Sequence, residues 1–225
     1  SNIFALMHVV PFNPHHKVRV DQTYDIIDTV YQEGVNGCQV YLHGYIEEEF
    51  FDQGQGEYIS TYTKSLSDTI LYQLEVIMPW GDTVTAEAYM PTPIRISSPA
   101  DSDTVSISQE PYDPHTVAWN SCRNTDLYLI YCIPDVGTSE LDDISPLYHV
   151  PAFTTDTSYT FFAERMVFPW DFNMHYVLRV IAVTPEYIDY MGFLNPTGEV
   201  YTNLSAGYGM FGGISEDSVR VFVTE

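Results

Sequence analysis

The sequence predicts an all-β protein built from two antiparallel β-sandwich domains, with one short helix in the second. Three observations carry that expectation. Short runs of alternating apolar and polar residues recur about every 8–12 residues between Gly, Pro, Asn and Asp signals, which is sandwich spacing. Helical periodicity is confined to one place, Thr184 to Leu194. The strand pattern breaks at Met90-Pro91-Thr92-Pro93, where two prolines remove amide donors and bias both flanks towards extended backbone, as in a short stiff linker. The expected domains are therefore residues 1–91 and 92–225.

In the first half, Ile3 to Val10 is an unbroken apolar run that reads as a buried strand, stopped by Pro11-Phe12-Asn13-Pro14. Lys17-Val18-Arg19-Val20 alternates, with its valines on one face and its cations on the other. Tyr24 to Tyr31 continues the pattern, and Val35 to His43 places Cys38, Val40 and Leu42 on one side of a further strand. The polar stretch Gly44 to Gly56, with Glu47-Glu48-Glu49 and Phe50-Phe51, reads as an exposed hairpin or loop. Tyr58 to Thr63 and Ile70 to Met78 are strands; Pro79-Trp80-Gly81-Asp82 is a turn in which glycine takes a positive φ, and Thr83 to Tyr89 completes a hairpin.

The second half opens with candidate strands at Ile94 to Ser97 and Val105 to Ser108, separated by Pro99-Ala100-Asp101-Ser102-Asp103. Thr116 to Trp119 and Leu127 to Cys132 follow. The segment of about 134–173 is too long for a simple connection and holds one strand pattern, Ser158 to Phe162. Its aromatic cluster around a proline, Phe168, Trp170 and Phe172, has two readings: a recognition loop with Trp80 as a further ligand-binding candidate, or a plug at one end of the sandwich. After a strand at Tyr176 to Val183, Thr184 caps a helix of about 185–194, with Pro185 in its first turn and Tyr187, Tyr190, Met191 and Leu194 in an apolar stripe. Gly207-Tyr208-Gly209-Met210-Phe211-Gly212 matches a dinucleotide fingerprint literally, but a strand and not a helix follows it, so a tight glycine turn is expected ahead of the last strand, Ser218 to Val223.

Composition narrows the function. With 8 basic against 31 acidic residues the net charge is −23, and no basic stripe exists to displace counterions from a phosphate backbone, so a nucleic-acid partner is not expected. No apolar run reaches the roughly 18 residues of a membrane-spanning helix. Cysteines number three, so Cys38, Cys122 and Cys132 form no fully paired framework; Cys122 and Cys132 are read either as a cross-strand disulfide or as two buried thiols. No nucleophile elbow, metalloprotease helix or phosphate loop is present, and the chain is not expected to be an enzyme or to need a cofactor. Structural calcium stays open at Asp101, Asp103, Asp142 and Asp143, whose hard oxygens do not match the twelve-residue calcium loop. Asn203-Leu204-Ser205 is a glycosylation sequon on paper. Ser1-Asn2 reads as a processing or cloning boundary, compatible with a removed targeting segment.

Two resemblances follow from these residues. Trp119 closing one strand and Tyr128-Leu129-Ile130 in the next resemble the second and third strands of fibronectin type III domains, a branch of the immunoglobulin-like sandwiches. Three stretches together look like an uncharacterised family of Bacteroidota envelope lipoproteins, often encoded beside TonB-dependent receptors. They are the N-terminal module (Val35 to Leu42, Tyr72 to Val76, Gly81 to Ala86 and Met90 to Pro93), then Ile181 to Tyr190, and a signature with Asn203, Gly207, Gly209, Phe211 and Gly212. The resemblance implies an exported, outer-membrane protein of two β-rich domains, attached through a lipid anchor outside this chain, with no catalytic residues assigned. The leading expectation is a non-catalytic binding or accessory protein with a protein partner in the envelope. The alternatives are a glycan-binding module or glycan-active enzyme, and a structural subunit of a surface assembly.

Overall fold

In a β-strand successive side chains face opposite sides, so a two-residue alternation of buried and exposed positions marks a sheet with one face in a core. A computed structural model shows that alternation along most of the chain and describes residues 2–8, 16–22, 34–45, 47–61, 65–106, 114–135, 152–162, 174–191 and 201–224. In order, the elements are β1 (Asn2–His8), β2 (Lys17–Asp21), β3 (Gln39–His43), β4 (Glu48–Gly54), β5 (Glu57–Ser60), β6 (Leu71–Ile77), β7 (Thr83–Tyr89), β8 (Ile96–Ser98), β9 (Asp103–Ser106) and β10 (Pro114–Trp119). Then come β11 (Leu127–Pro134), β12 (Ala152–Thr154), β13 (Ser158–Phe162), β14 (Met174–Val183), helix α1 (Pro185–Met191) and β15 (Tyr208–Thr224). The fold is all-β, of sandwich type, with one short helix.

Two compact units divide the chain. The first comprises Ser1–Pro93, Arg123–Thr125 and Val183–Ser215; the second comprises Ile94–Cys122, Asp126–Ala182 and Glu216–Glu225. The expected cut at residue 91 assigns everything downstream to the second domain, whereas the helix and the glycine-rich stretch belong to the first unit. The cause is pairing: β1 lies parallel to the first half of β15, with Asn2 opposite Tyr208 and His8 opposite Ile214. The proline stretch is no solvated linker either. Met90 is fully buried, the Thr92 hydroxyl donates to Asp68 at 2.7 Å, and the Thr92 amide donates to the Arg123 carbonyl at 3.2 Å.

The first unit's sheet runs β15-β1-β2-β5-β4-β3-β6-β7. Its inward residues, among them Ile3, Val18, Val20, Val40, Leu42, Phe50, Leu74, Val76 and Phe211, make one core. At roughly 25 cal/mol per Å² of apolar surface, each such side chain contributes about 1.5–3 kcal/mol. The stretch expected as an exposed hairpin or loop at Gly44 to Gly56 is a hairpin arm, strand β4 paired antiparallel with β5, and it turns Glu48 and Phe50 inward. Three consecutive glutamates hid its two-residue period. A buried tyrosine fixes the core's edge: Tyr58 hydroxyl accepts from the Cys38 amide at 2.9 Å and donates to the Val35 carbonyl at 2.7 Å.

In the second unit, the sheet β12-β11-β14-β15, with β9 parallel to β15, faces the three-stranded sheet β13-β10-β8. Val117 and Trp119 from one sheet meet Tyr128, Ile130, Tyr176, Leu178, Val180, Val219, Val221 and Val223 from the other in a second core. This is the layout of an immunoglobulin or fibronectin III-like sandwich. Trp119 packs edge-on against Tyr128 at 5.3 Å between ring centroids, and the Tyr128 hydroxyl accepts from the Cys122 amide at 3.0 Å. Both units thus anchor a buried tyrosine on the amide of a cysteine.

Helix α1 and the glycines depart from expectation in instructive ways. Among its described residues the helix buries Ile188, while Met191, expected in the buried stripe, is 48% exposed; seven residues make only about two turns. Gly209, Gly212 and Gly213 form no turn but lie inside strand β15. Gly209 has φ +127°, and a Cβ there would stand 1.8 Å from the Ile3 carbonyl oxygen across the parallel pair. A Cβ at Gly212 would stand 2.5 Å from the Thr184 hydroxyl. The glycines let β1 and the start of α1 close onto the strand from both sides.

Candidate functional site

The residues singled out for chemistry fall in several places. Phe168, Trp170, Phe172, Asp142 and Asp143 lie outside the described residues. Trp80 is 57% exposed in the β6–β7 turn, but its indole N–H donates to Asp82 at 2.8 Å, which ties the ring to its own turn. Asp101 accepts from the Arg220 amide at 2.9 Å and Asp103 from the Ala100 amide at 2.7 Å. Asp103 thus closes its own turn, and Asp101 ties that turn to β15. Among the described residues no group of three or more His, Cys, Asp or Glu gathers as a metal site.

The cysteines resolve to the second of the two readings: all three are free and buried. Burial pushes the Cys122 thiol up to about 11 and raises Cys38 and Cys132 as well. A thiol held protonated is a poor nucleophile.

Asn203 has a definite role. Its side-chain amide donates to the Phe211 carbonyl at 2.7 Å and to the Glu87 carbonyl at 3.3 Å, and its oxygen accepts from the Phe211 amide at 2.9 Å. It therefore stands in for a strand residue between β7 and β15, helped by Ser205, whose amide donates to the Thr85 carbonyl at 2.7 Å. An amide nitrogen so committed is not presented as a glycosylation acceptor. Gly207, at φ +84°, bends the chain between this clamp and β15.

Two features were not singled out from the sequence. The first is the outward face of the first unit's sheet. Here Ile59 stands beside Phe51 and Lys17, Tyr41 beside Glu49 and Glu75, and Leu71 beside Tyr89. Phe51 is 49% exposed, Tyr89 47% and Leu71 43%. Within this face, His43 is clamped between two carboxylates, Nδ1 to Glu47 at 2.5 Å and Nε2 to Glu75 at 3.0 Å. Only the doubly protonated ring offers a donor to both. Burial lowers the imidazole pKa, but the hydrogen bonds and charges of Glu75 and Glu47 outweigh it and hold the net value above the ordinary one. The lone Phe-Phe pair was the available sequence signal, masked by the reading of that stretch as an exposed hairpin or loop.

The second is a cavity of about 240 Å³ in the second unit. Ser98, Thr104, Ser106, His115 and Thr116 supply its polar lining, and Val105, Val117 and Leu178 its apolar part. Thr116 and Thr160 hydroxyls share a hydrogen bond of 3.0 Å. Nε2 of His115 is itself buried and has no hydrogen-bond partner among the described residues. No sequence motif marks this cavity, because its lining comes from four strands and one turn.

No helix among the described residues is long and apolar enough to cross a membrane. No protein-family model matches the chain, and no curated protein matches it. Among solved structures it is similar to the crystal structure of DIP-gamma IG1+IG2, at 7% identity, over 100% of this chain and 99% of that one, with a TM-score of 0.24. A score that low carries no argument.

Proposed function

We propose that the chain is a non-catalytic binding or accessory protein of the cell envelope, which presents the outward face of its first sheet to a protein partner. The observation that carries this reading is the exposure of Phe51, Leu71 and Tyr89 on strands whose outward positions are otherwise mostly polar. Phe51 beside Ile59 and Leu71 beside Tyr89 make two apolar spots on one sheet face, with Tyr41, Glu49, Glu75 and Glu87 between them; paired exposed apolar side chains among charged ones mark an interaction surface, whereas single exposed ones need no explanation. The charge on this face is mainly acidic, with Glu47, Glu49, Glu57, Glu75 and Glu87 against Lys17 and Arg19, so the partner surface is basic between its apolar contacts. The resemblance to envelope lipoproteins supplies the compartment and makes an outer-membrane receptor or surface assembly the expected partner.

Photo-crosslinking tests the reading, with a benzophenone side chain in place of Phe51 in intact envelopes of a Bacteroidota host. The expected result is an adduct with a defined envelope protein that disappears when Leu71 and Tyr89 are both changed to Asp. Adducts no different from those formed at Phe153 of the second unit would refute it.

A further inference from the structure

The second unit offers a different kind of site, independent of the sheet face just described. We propose that its cavity binds one ring of a small, uncharged, polyhydroxylated ligand, the chemical class of a single sugar residue.

Size sets the first limit. About 240 Å³ lies below the roughly 300–1,000 Å³ of sites for drug-sized ligands, so one ring fits and an oligomer does not. The lining then sets the polarity. Four hydroxyls, from Ser98, Thr104, Ser106 and Thr116, join one imidazole at the polar part, and hydroxyls match a ligand that both donates and accepts. Val105, Val117 and Leu178 supply an apolar wall, suited to the C–H face of a pyranose.

Charge excludes the other classes. No carboxylate and no Lys or Arg is among the described lining residues, so an ion finds no counter-charge in direct contact there. The neighbouring Asp101 and Asp103, in a chain of net charge −23, add repulsion for an anion.

His115 adds an imidazole to the lining. A ligand hydroxyl suits such a ring in either tautomer, since it can accept from N–H or donate to a bare nitrogen.

The test uses the whole chain and a panel of methyl glycosides of neutral hexoses, deoxyhexoses and N-acetylhexosamines, with glucuronic acid and glucosamine as charged controls. Saturation-transfer NMR and calorimetry report binding, and the His115 ring resonances report its place. At least one neutral glycoside is expected to saturate, with the His115 signals moving at the same midpoint. Thr104→Val, which deletes a hydroxyl from an exposed strand position and keeps the shape, is expected to weaken binding about tenfold, the worth of one hydrogen bond. His115→Ala is expected to weaken it at least as much. Three results would overturn the proposal: no saturation by any neutral member, tighter binding of a charged one, or an unchanged midpoint in Thr104→Val with its fold intact by circular dichroism. None of them bears on cross-linking at position 51, so the two proposals fail separately.

Discussion

Gly209→Ala isolates the closure of the first unit. Two separate costs are legible at that position. An alanine held at φ +127° occupies a region that side chains avoid, which costs about 1–3 kcal/mol. Its Cβ would also stand 1.8 Å from the Ile3 carbonyl oxygen, less than any non-bonded contact, and the obstacle is backbone, which cannot swing aside. Relieving the overlap moves β1 off β15 and loosens the ladder around the Ile3–Gly209 pair; two weakened hydrogen bonds at about 1 kcal/mol each bring the total to about 4 kcal/mol. Gly81→Ala is the control, because Gly81 has φ +98° with nothing within 4 Å of its Cβ position and bears the backbone cost alone, about 1–2 kcal/mol. At about 2–4 °C per kcal/mol, Gly209→Ala lowers the first unit's Tm by about 8–16 °C and Gly81→Ala by roughly 2–8 °C. Calorimetry measures both, and hydrogen exchange locates the loss in the β1 amides. Equal Tm values for the two variants would refute the reasoning.

Four further outcomes follow from the same geometry. Asn203→Ala removes three hydrogen bonds and leaves buried groups of Phe211 unpaired, so it lowers stability by about 2–4 kcal/mol, measured by urea unfolding. Phe51→Asp changes stability by no more than about 0.5 kcal/mol, measured by urea unfolding, since an exposed position holds little of the core. His43 is held above its ordinary pKa of 6.5, so its clamp contributes stability that is full below that value and lost as pH rises through the folded pKa. The Tm difference between wild type and His43→Gln accordingly shrinks from about pH 5 to about pH 9, and Glu75→Gln flattens it. All three thiols resist a disulfide-exchange reagent in the native state and react together on unfolding, because each is buried and protonated; fewer than three on unfolding would mean a disulfide.

The sequence made the strands legible wherever one face is buried and the other wet. Ser158 to Phe162, Thr83 to Tyr89 and the Trp119 and Tyr128 strands stand where their alternation places them. Alternation failed at β4, where Glu48 faces inward and Phe51 outward, so polarity opposed burial at two of its positions. It failed again at β15. Glycine-rich sequence reads as a turn because glycine's freedom is a local property, whereas the demand for glycine here comes from Ile3, Thr184 and Met90, far away in the chain. The same limit hid the site features. His43, Glu47 and Glu75 are spread over three elements, and the cavity around His115 is assembled from residues between Ser98 and Leu178. Neither has a spacing that a linear motif records.

The pairing of β1 with β15 also has a consequence in time. Strand β1 is made well before its parallel partner, with most of the second unit's sequence between them. A chain emerging from a ribosome or a translocation channel N-terminus first can complete the second unit's sheets only as β15 arrives, and the first unit's sheet must wait for the same strand. Until then the apolar Ile3, Ala5 and Met7 have only β2 beside them. Such long-range closure is slow and leaves an open sheet edge exposed meanwhile. A bound chaperone during synthesis, or a slow final folding step that truncation before Tyr208 would abolish, is the kinetic signature of that arrangement.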